Sequence, residues 1–201
     1  AGLKSGDPPL GTAGHALPPL PDLGENLAYD VDLRGAMPGT SHAYATYPMR
    51  DEGYLGDDEA SRDDALVIEV AEFDGTPRVV ASRLRTLVGA IGAYRAMVVL
   101  DLDQAREDWR SYSRISRRTG RDLGGRDGIY RLHGIDFLDA LLVERSFGLA
   151  LAELRERVTP IVDHVEEVHG GLFVVASWHL DPATITALNR SLETPCTQEP
   201  S

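Results

Sequence analysis

Arginine side chains at two places along the chain have the type and spacing to bind an anion. In the segment ASRLRTL, Arg83 and Arg85 are two residues apart, so they would project from one face of a strand. The later segment SYSRISRR carries Arg114 and Arg117, and we expect it to form a second strand facing the first. A guanidinium donates two parallel hydrogen bonds to a carboxylate or phosphate, so these residues predict an anion site. Alternatively, they form surface ion pairs with acidic residues of the chain.

A glycine-rich stretch, GRDLGG, follows the second arginine segment. Backbone amides near Gly120, Gly124 and Gly125 would add hydrogen-bond donors for a phosphate, which makes these glycines candidate cofactor-binding positions. We expect the stretch to be a loop because glycine accumulates where the chain turns.

Three features occur in one order along the chain: Asp64 before a strand, the pair Arg83-Leu84, and the pair Ser113-Arg114 within DWRSYSRI. This order resembles that of the acyl-homoserine-lactone synthases and related N-acyltransferases of the GNAT fold. Members of that family have an acidic loop, a strand with an Arg-Leu pair and a strand with a Glu-x-Ser-Arg motif. The resemblance extends over roughly residues 44–180.

The resemblance implies transfer of an acyl group from a thioester carrier to an amine, with a carboxylate accepting the amine proton. Acyl-CoA or acyl-carrier protein is then the co-substrate, and we expect no tightly bound cofactor and no metal. Asp64 and Glu69 are the candidate catalytic residues. The candidate substrate-binding residues are Arg83, Trp109, Ser113, Arg114 and Arg117.

Two positions depart from the family pattern. Ser111 stands two residues before Ser113, where the family has its glutamate, and Ser61 stands three residues before Asp64, where a second acid is expected. The prediction therefore includes a catalytically inactive relative.

A different enzyme class is suggested by AMVVLDLD and the later IYRLHGIDFLDALL. Asp101 and Asp103 at a strand end, joined by Asp136, would supply carboxylates for Mg²⁺. This arrangement is similar to the palm domain of GGDEF-type nucleotide cyclases. Since the hairpin contains HGIDF and lacks the second glycine of the family motif, the interpretation is a degenerate palm.

The elements that would position these residues are those of an α/β (α+β) chain with a mixed, mainly antiparallel sheet and packed helices, GNAT-like in arrangement. ALVIEVAEF alternates as a strand does. For TPRVVASRLRTL we favour a hairpin strand, with a helix from Thr76-Pro77 to Tyr94 as the alternative. AMVVLDL is expected to be a strand or a short helix.

The second half of the chain contains longer apolar patterns. We predict a helix from about Asp136 to Arg157 with a weak point at Gly148, and a helical second half of IVDHVEEVHGG. LFVVASWHL is the last predicted strand. Asp181-Pro182 is typical of a helix start, followed by a helix over 183–193.

The domain organisation follows from the distribution of proline and glycine. Residues 1–43 contain DPPLG, LPPLPDLG and MPGTSH and are expected to form an irregular arm. A single domain over 44–195 and a tail over 196–201 would follow. The alternative function is therefore a non-enzymatic binding or assembly subunit, which contacts a protein partner or a second copy of the chain through the arm.

Charge and apolar-run length limit the classes of partner. The chain has 20 basic and 32 acidic residues and a net charge of −12, which disfavours a nucleic-acid partner. Apolar runs such as AMVVL are too short to span a membrane. Cys196 is the only cysteine, so no internal disulfide forms. We expect the protein to be cytoplasmic.

Overall fold

The fold is taken from a computed structural model. It describes residues 16–17, 26–30, 40–48, 65–70, 76–99, 102–121, 123 and 127–197. The chain divides into two compact units, Ala1–Asp74 and Gly75–Ser201, named here the N-terminal and C-terminal units.

The N-terminal unit contains an antiparallel meander of four strands in the order β1-β2-β3-β4. The strands are β1 (Ala16–Leu17), β2 (Asn26–Asp30), β3 (Thr40–Pro48) and β4 (Ala65–Val70). Leu66 and Ile68 on β4 are half-buried, as expected for two residues that share one face of a strand. The predicted strand at ALVIEV is confirmed, whereas the boundary of the irregular arm at residue 43 stays a prediction.

The C-terminal unit contains a second four-stranded sheet, in which every described strand pair is antiparallel. Its strands, in the order β5-β6-β8-β7, are β5 (Arg95–Met97), β6 (Ile135–Asp139), β7 (His164–Val168) and β8 (Gly171–Val175). Its helices are α1 (Pro77–Ile91), α2 (Leu102–Thr119), α3 (Ala140–Phe147), α4 (Leu151–Val158) and α5 (Pro182–Ser191), and a 3₁₀ turn lies at Pro195–Thr197. The predicted α+β class with an antiparallel sheet and packed helices is confirmed.

Both faces of the second sheet are covered by helices. One face carries Ile135, Phe137 and Phe173, which pack with Ala81 and Val88 of α1. The opposite face packs against α3, α4 and α5. Its buried core includes Leu138, Leu172, Val174, Leu142, Val143, Leu154, Val158 and Leu188. The central strands β6 and β8 are therefore buried on both sides, which explains why their sequences show no alternation of apolar and polar residues.

The predicted hairpin strand at TPRVVASRLRTL is wrong, and the alternative is confirmed, because residues 77–91 form α1. The buried residues Ala81 and Val88 are seven apart, with half-buried Leu84 between them, which is a helical spacing. Val79, which a strand would have buried with Ala81, is 47% exposed. Pro77 occupies the first turn, where its missing N–H costs no hydrogen bond.

The predicted second arginine strand, SYSRISRR, is also wrong, because it lies within helix α2. Arginine is a good helix former, and Asp108, Tyr112 and Ile115, which face the interior, recur at helical spacing. Helix α2 packs through Tyr112 and Ile115 against Leu123 and Tyr130.

Two further helix predictions are wrong at β6 and β7. Residues 135–139 form a central strand, so the predicted helix over 136–157 is wrong in its first four residues. The rest is confirmed as α3 and α4, with the predicted weak point at Gly148 between them. IVDHVEEVHGG contributes an edge strand and a turn instead of a helix. The predicted strand at LFVV and the helix start at Asp181-Pro182 are confirmed. Among the described residues, no helix has the length and hydropathy to cross a membrane.

Candidate functional site

Helix α2 presents two chemically different faces. Asp108, Tyr112 and Ile115 face the interior of the C-terminal unit. The opposite face carries Arg110, Arg114, Arg117 and Arg118, all exposed, which we name the arginine stripe. At about 100° per residue, the four arginines lie within about 100° of one another around the helix axis.

Two acidic residues on the same face of α2, Asp103 and Glu107, lie before the stripe and not within it. Residues 109–121 include five arginines and no acidic residue. Arg114 donates to Ser111 Oγ at 3.2 Å. Within the described part of the chain, Arg110, Arg117 and Arg118 take part in no hydrogen bond or ion pair through their side chains. Arg106, one turn before the stripe, pairs instead with Asp103 at 2.9 Å. The stripe therefore concentrates positive charge on a protein of net charge −12.

The structure brings only some of the sequence-predicted site residues together. Arg114 and Arg117 lie on the arginine stripe, and Gly120 is exposed just after α2. Trp109 and Ser113 also belong to α2, but their side chains lie outside the described residues. Asp64, Gly124 and Gly125, and the side chain of Glu69 on β4, lie outside them too.

The first arginine pair is separated by the helical geometry of α1. Arg83 and Arg85 are about 200° apart around the helix axis, so they do not share a face. Arg83 is exposed, whereas Arg85 donates to Glu166 of β7 at 2.8 Å. The prediction that Arg83 and Arg85 share one face is therefore wrong, while Arg83 stays a predicted anion ligand.

The inner face of α2 contributes to a buried polar network. One guanidinium nitrogen of Arg131 lies 3.2 Å from each carboxylate oxygen of Asp108. Gln104 donates to Asp108 Oδ1 at 3.0 Å. The side chain of Asp108 is only 11% exposed and that of Arg131 20%. Because both charges are largely removed from water, this arginine is committed to an internal partner.

The network continues in the turn before β6. Asp136 Oδ2 accepts backbone N–H groups from His133 at 2.9 Å and Gly134 at 3.0 Å. Burial raises the pKa of Asp136 to about 6, although these amides and the charges of Arg95 and Arg131 act in the opposite direction. Burial also lowers the pKa of His133 to about 3, assisted by the same two arginines.

The carboxylates of the predicted palm lie in unlike environments. Asp103 is highly exposed and paired with Arg106, whereas Asp136 is buried and turned toward backbone amides. Asp101 lies outside the described residues. Within the described ranges, no group of three or more His, Cys, Asp or Glu side chains is placed to hold a metal ion.

Sequence reasoning missed Arg110 and Arg118 as members of the stripe. Their spacing from Arg114 and Arg117 is i, i+4, i+7 and i+8, which is one face of a helix. In a strand, residues at this spacing do not share one face. Because the segment was predicted to be a strand, the four arginines were not recognised as one cluster. Comparison with known proteins adds no further residue, because no protein-family model, curated protein or solved structure matches the chain.

Proposed function

We propose that the C-terminal unit is a non-enzymatic binding module that docks an acidic protein segment on the arginine stripe of α2. The observation that carries the proposal is the exposed one-sided cluster of Arg110, Arg114, Arg117 and Arg118. Planar guanidinium groups pair well with carboxylates, and exposed positive charge accelerates association with an acidic partner.

The dimensions of the stripe favour a short acidic segment over a nucleic acid. From Arg110 to Arg118 the helix rises about 12 Å, which matches a few residues of an extended peptide or two to three turns of a helix. A longer polyanion would extend past the stripe toward a protein of net charge −12, where repulsion opposes binding. The contact through residues 1–43 is a separate prediction and is not needed for this one.

Acyl transfer stays a prediction from the family resemblance. A CoA ester is also an anion, so its binding to the same arginines is tested in parallel. Activity would additionally require an amine acceptor and a carboxylate base, for which Asp64 and Glu69 remain the candidates.

The test is calorimetric titration of the full chain with a twelve-residue glutamate peptide at low and high salt. We compare the wild type with a triple variant, Arg110→Gln, Arg117→Gln and Arg118→Gln, because glutamine preserves helix propensity. At roughly 0.2–1 kcal/mol per exposed ion pair, the variant should bind on the order of tenfold more weakly and with a shallower salt dependence. A charge control removes two exposed arginines from other helices, Arg157→Gln and Arg190→Gln.

Equal weakening in the control variant would overturn the assignment to α2, because it would show a response to net charge alone. Tighter binding of a single-stranded oligonucleotide than of the glutamate peptide would overturn the acidic protein partner. Transfer of an acyl group from acetyl-CoA or a long-chain acyl-CoA to an amine would overturn the non-enzymatic assignment in favour of the acyltransferase.

A further inference from the structure

A groove distinct from the arginine stripe lies at one end of the second sheet. It is formed by the end of α1, the start of α3 and the turn between β7 and β8, and has a volume of about 580 Å³. This volume is within the range of pockets that hold small ligands, roughly 300–1,000 Å³. Its lining includes Val88, Tyr94, Asp139, Leu141 and His169.

His169 stands at the lip of the groove in an unfavourable backbone conformation. It has a φ of 52° and the following Gly170 has a φ of 75°, so both central residues of this hairpin turn are left-handed. Asparagine or glycine is preferred at the first of these positions, because a larger side chain is strained there. A histidine at this position therefore has a local cost.

Gly89 of α1 makes room for the same side chain. A β-carbon at residue 89 would collide with Cε1 of the His169 ring and lie 2.6 Å from its Nε2. Glycine within a helix is less stable than alanine. Two departures from local preference thus meet at one imidazole, which makes this position worth testing for a functional role.

Asp139 lines the groove, and its carboxylate has one oxygen without a partner in the described part of the chain. Asp139 Oδ1 accepts the backbone N–H of Leu142 at 2.7 Å and so begins α3. Among the residues that the structure describes, no hydrogen bond or ion pair engages Oδ2 of this half-buried carboxylate. Leu141 at the rim is 51% exposed and supplies an apolar surface. A negative group beside an apolar wall suits a ligand with a positive end and an apolar body.

We propose that the groove binds a small amphipathic amine, with its ammonium group on Asp139, its apolar body against Leu141, and His169 as a specificity-determining contact. The ammonium would donate to Oδ2 while Oδ1 keeps its bond to Leu142, so binding leaves the start of α3 intact. This site is independent of the arginine stripe and carries the opposite charge.

The experiment is an NMR titration of backbone amides in the full chain with 2-phenylethylamine. The matched probes 2-phenylethanol and 3-phenylpropionate have the same ring without the positive charge. We expect saturable shifts at Ala140, Leu141 and Gly170 with the amine only. Equal binding of the alcohol, or amine-induced shifts elsewhere than in the groove, would overturn the proposal.

Two variants separate a binding role from a structural one. Asp139→Asn retains a good helix N-cap but removes the charge, so amine affinity should fall on the order of tenfold with an unchanged melting temperature. His169→Asn introduces a preferred turn residue and should maintain or raise the melting temperature while weakening amine binding. The exposed charge control Glu156→Gln should bind as the wild type does. A His169→Asn variant with unchanged affinity, or an Asp139→Asn variant no weaker than the control, would contradict the assignment.

Discussion

The two faces of α2 hold charged side chains in opposite environments. On the inner face, Asp108 is held by Arg131 and Gln104 and is almost excluded from solvent. On the outer face, Arg110, Arg117 and Arg118 are exposed. A buried charge must be matched within the protein, because an unmatched one is costly, whereas an exposed charge is matched by water until a partner arrives.

This difference shows which charges are available for binding. Removing a residue from the inner face should change folding stability and leave ligand binding unchanged in the folded protein. Removing a residue from the outer face should weaken ligand binding and leave folding stability unchanged.

A large loss of stability is expected from Asp108→Ala. The substitution leaves the buried guanidinium of Arg131 without its partner and removes the acceptor of Gln104. We expect a loss of about 3 kcal/mol in the free energy of unfolding, measured by urea denaturation, at the low end of the range for broken buried pairs.

The matched control is Asp103→Ala on the same helix. Its side chain is 92% exposed, so the same chemical change should leave stability nearly unaltered. Similar losses in the two variants would contradict the distinction between the faces.

An effect of comparable size is expected in the pH dependence of stability around Asp136. Its pKa is about 6 in the folded state against an ordinary 3.8, so the folded protein binds more protons between these values. Stability from this group is therefore lost as pH rises from about 4 to 6, by about 1.4 kcal/mol for each unit of pKa difference. Asp136→Asn should remove this loss, which urea denaturation at several pH values would measure as a difference from wild type.

His133 should act in the opposite direction. Its folded pKa of about 3 is below the ordinary 6.5, so the unfolded chain binds more protons and stability rises with pH over that interval. His133→Gln should therefore abolish a rise in stability with increasing pH, whereas Asp136→Asn should abolish a fall. Difference curves of the same sign for the two variants would refute the burial of one or both groups.

The smallest stability effect belongs to the outer face. Arg110→Ala should change the free energy of unfolding by less than about 0.5 kcal/mol, since surface substitutions rarely do more. The same variant should weaken binding of the glutamate peptide and lower its salt dependence. A stability loss comparable with that of Asp108→Ala would mean that Arg110 is structural.

Much of the fold was predictable where a pattern is local. The start of α5 follows from Asp181, whose carboxylate accepts the N–H groups of Ala183 and Thr184. Strand β4 follows from its alternation. Strand β6 was mistaken for helix because both of its faces are buried, and a short apolar run does not distinguish the two elements.

The residue types of the candidate site could be predicted from the sequence, but their arrangement in space could not. Arg114 and Arg117 were identified as anion ligands from residue type, and they lie together on the stripe. Arg83 lies on α1, because its segment forms a helix and not the predicted strand. The groove beside His169 was missed because Gly89, Asp139 and His169 are distant in sequence and meet only in the folded unit.

The amino-acid sequence by itself determined the charge balance, the local starts and ends of several elements, and the arginine content of α2. These depend on neighbouring residues and on composition, which are independent of the rest of the fold. The tertiary structure decided which face of α2 is buried, why Asp136 has a raised pKa and where the groove lies. Those properties depend on solvent exclusion, which arises only when distant segments pack together.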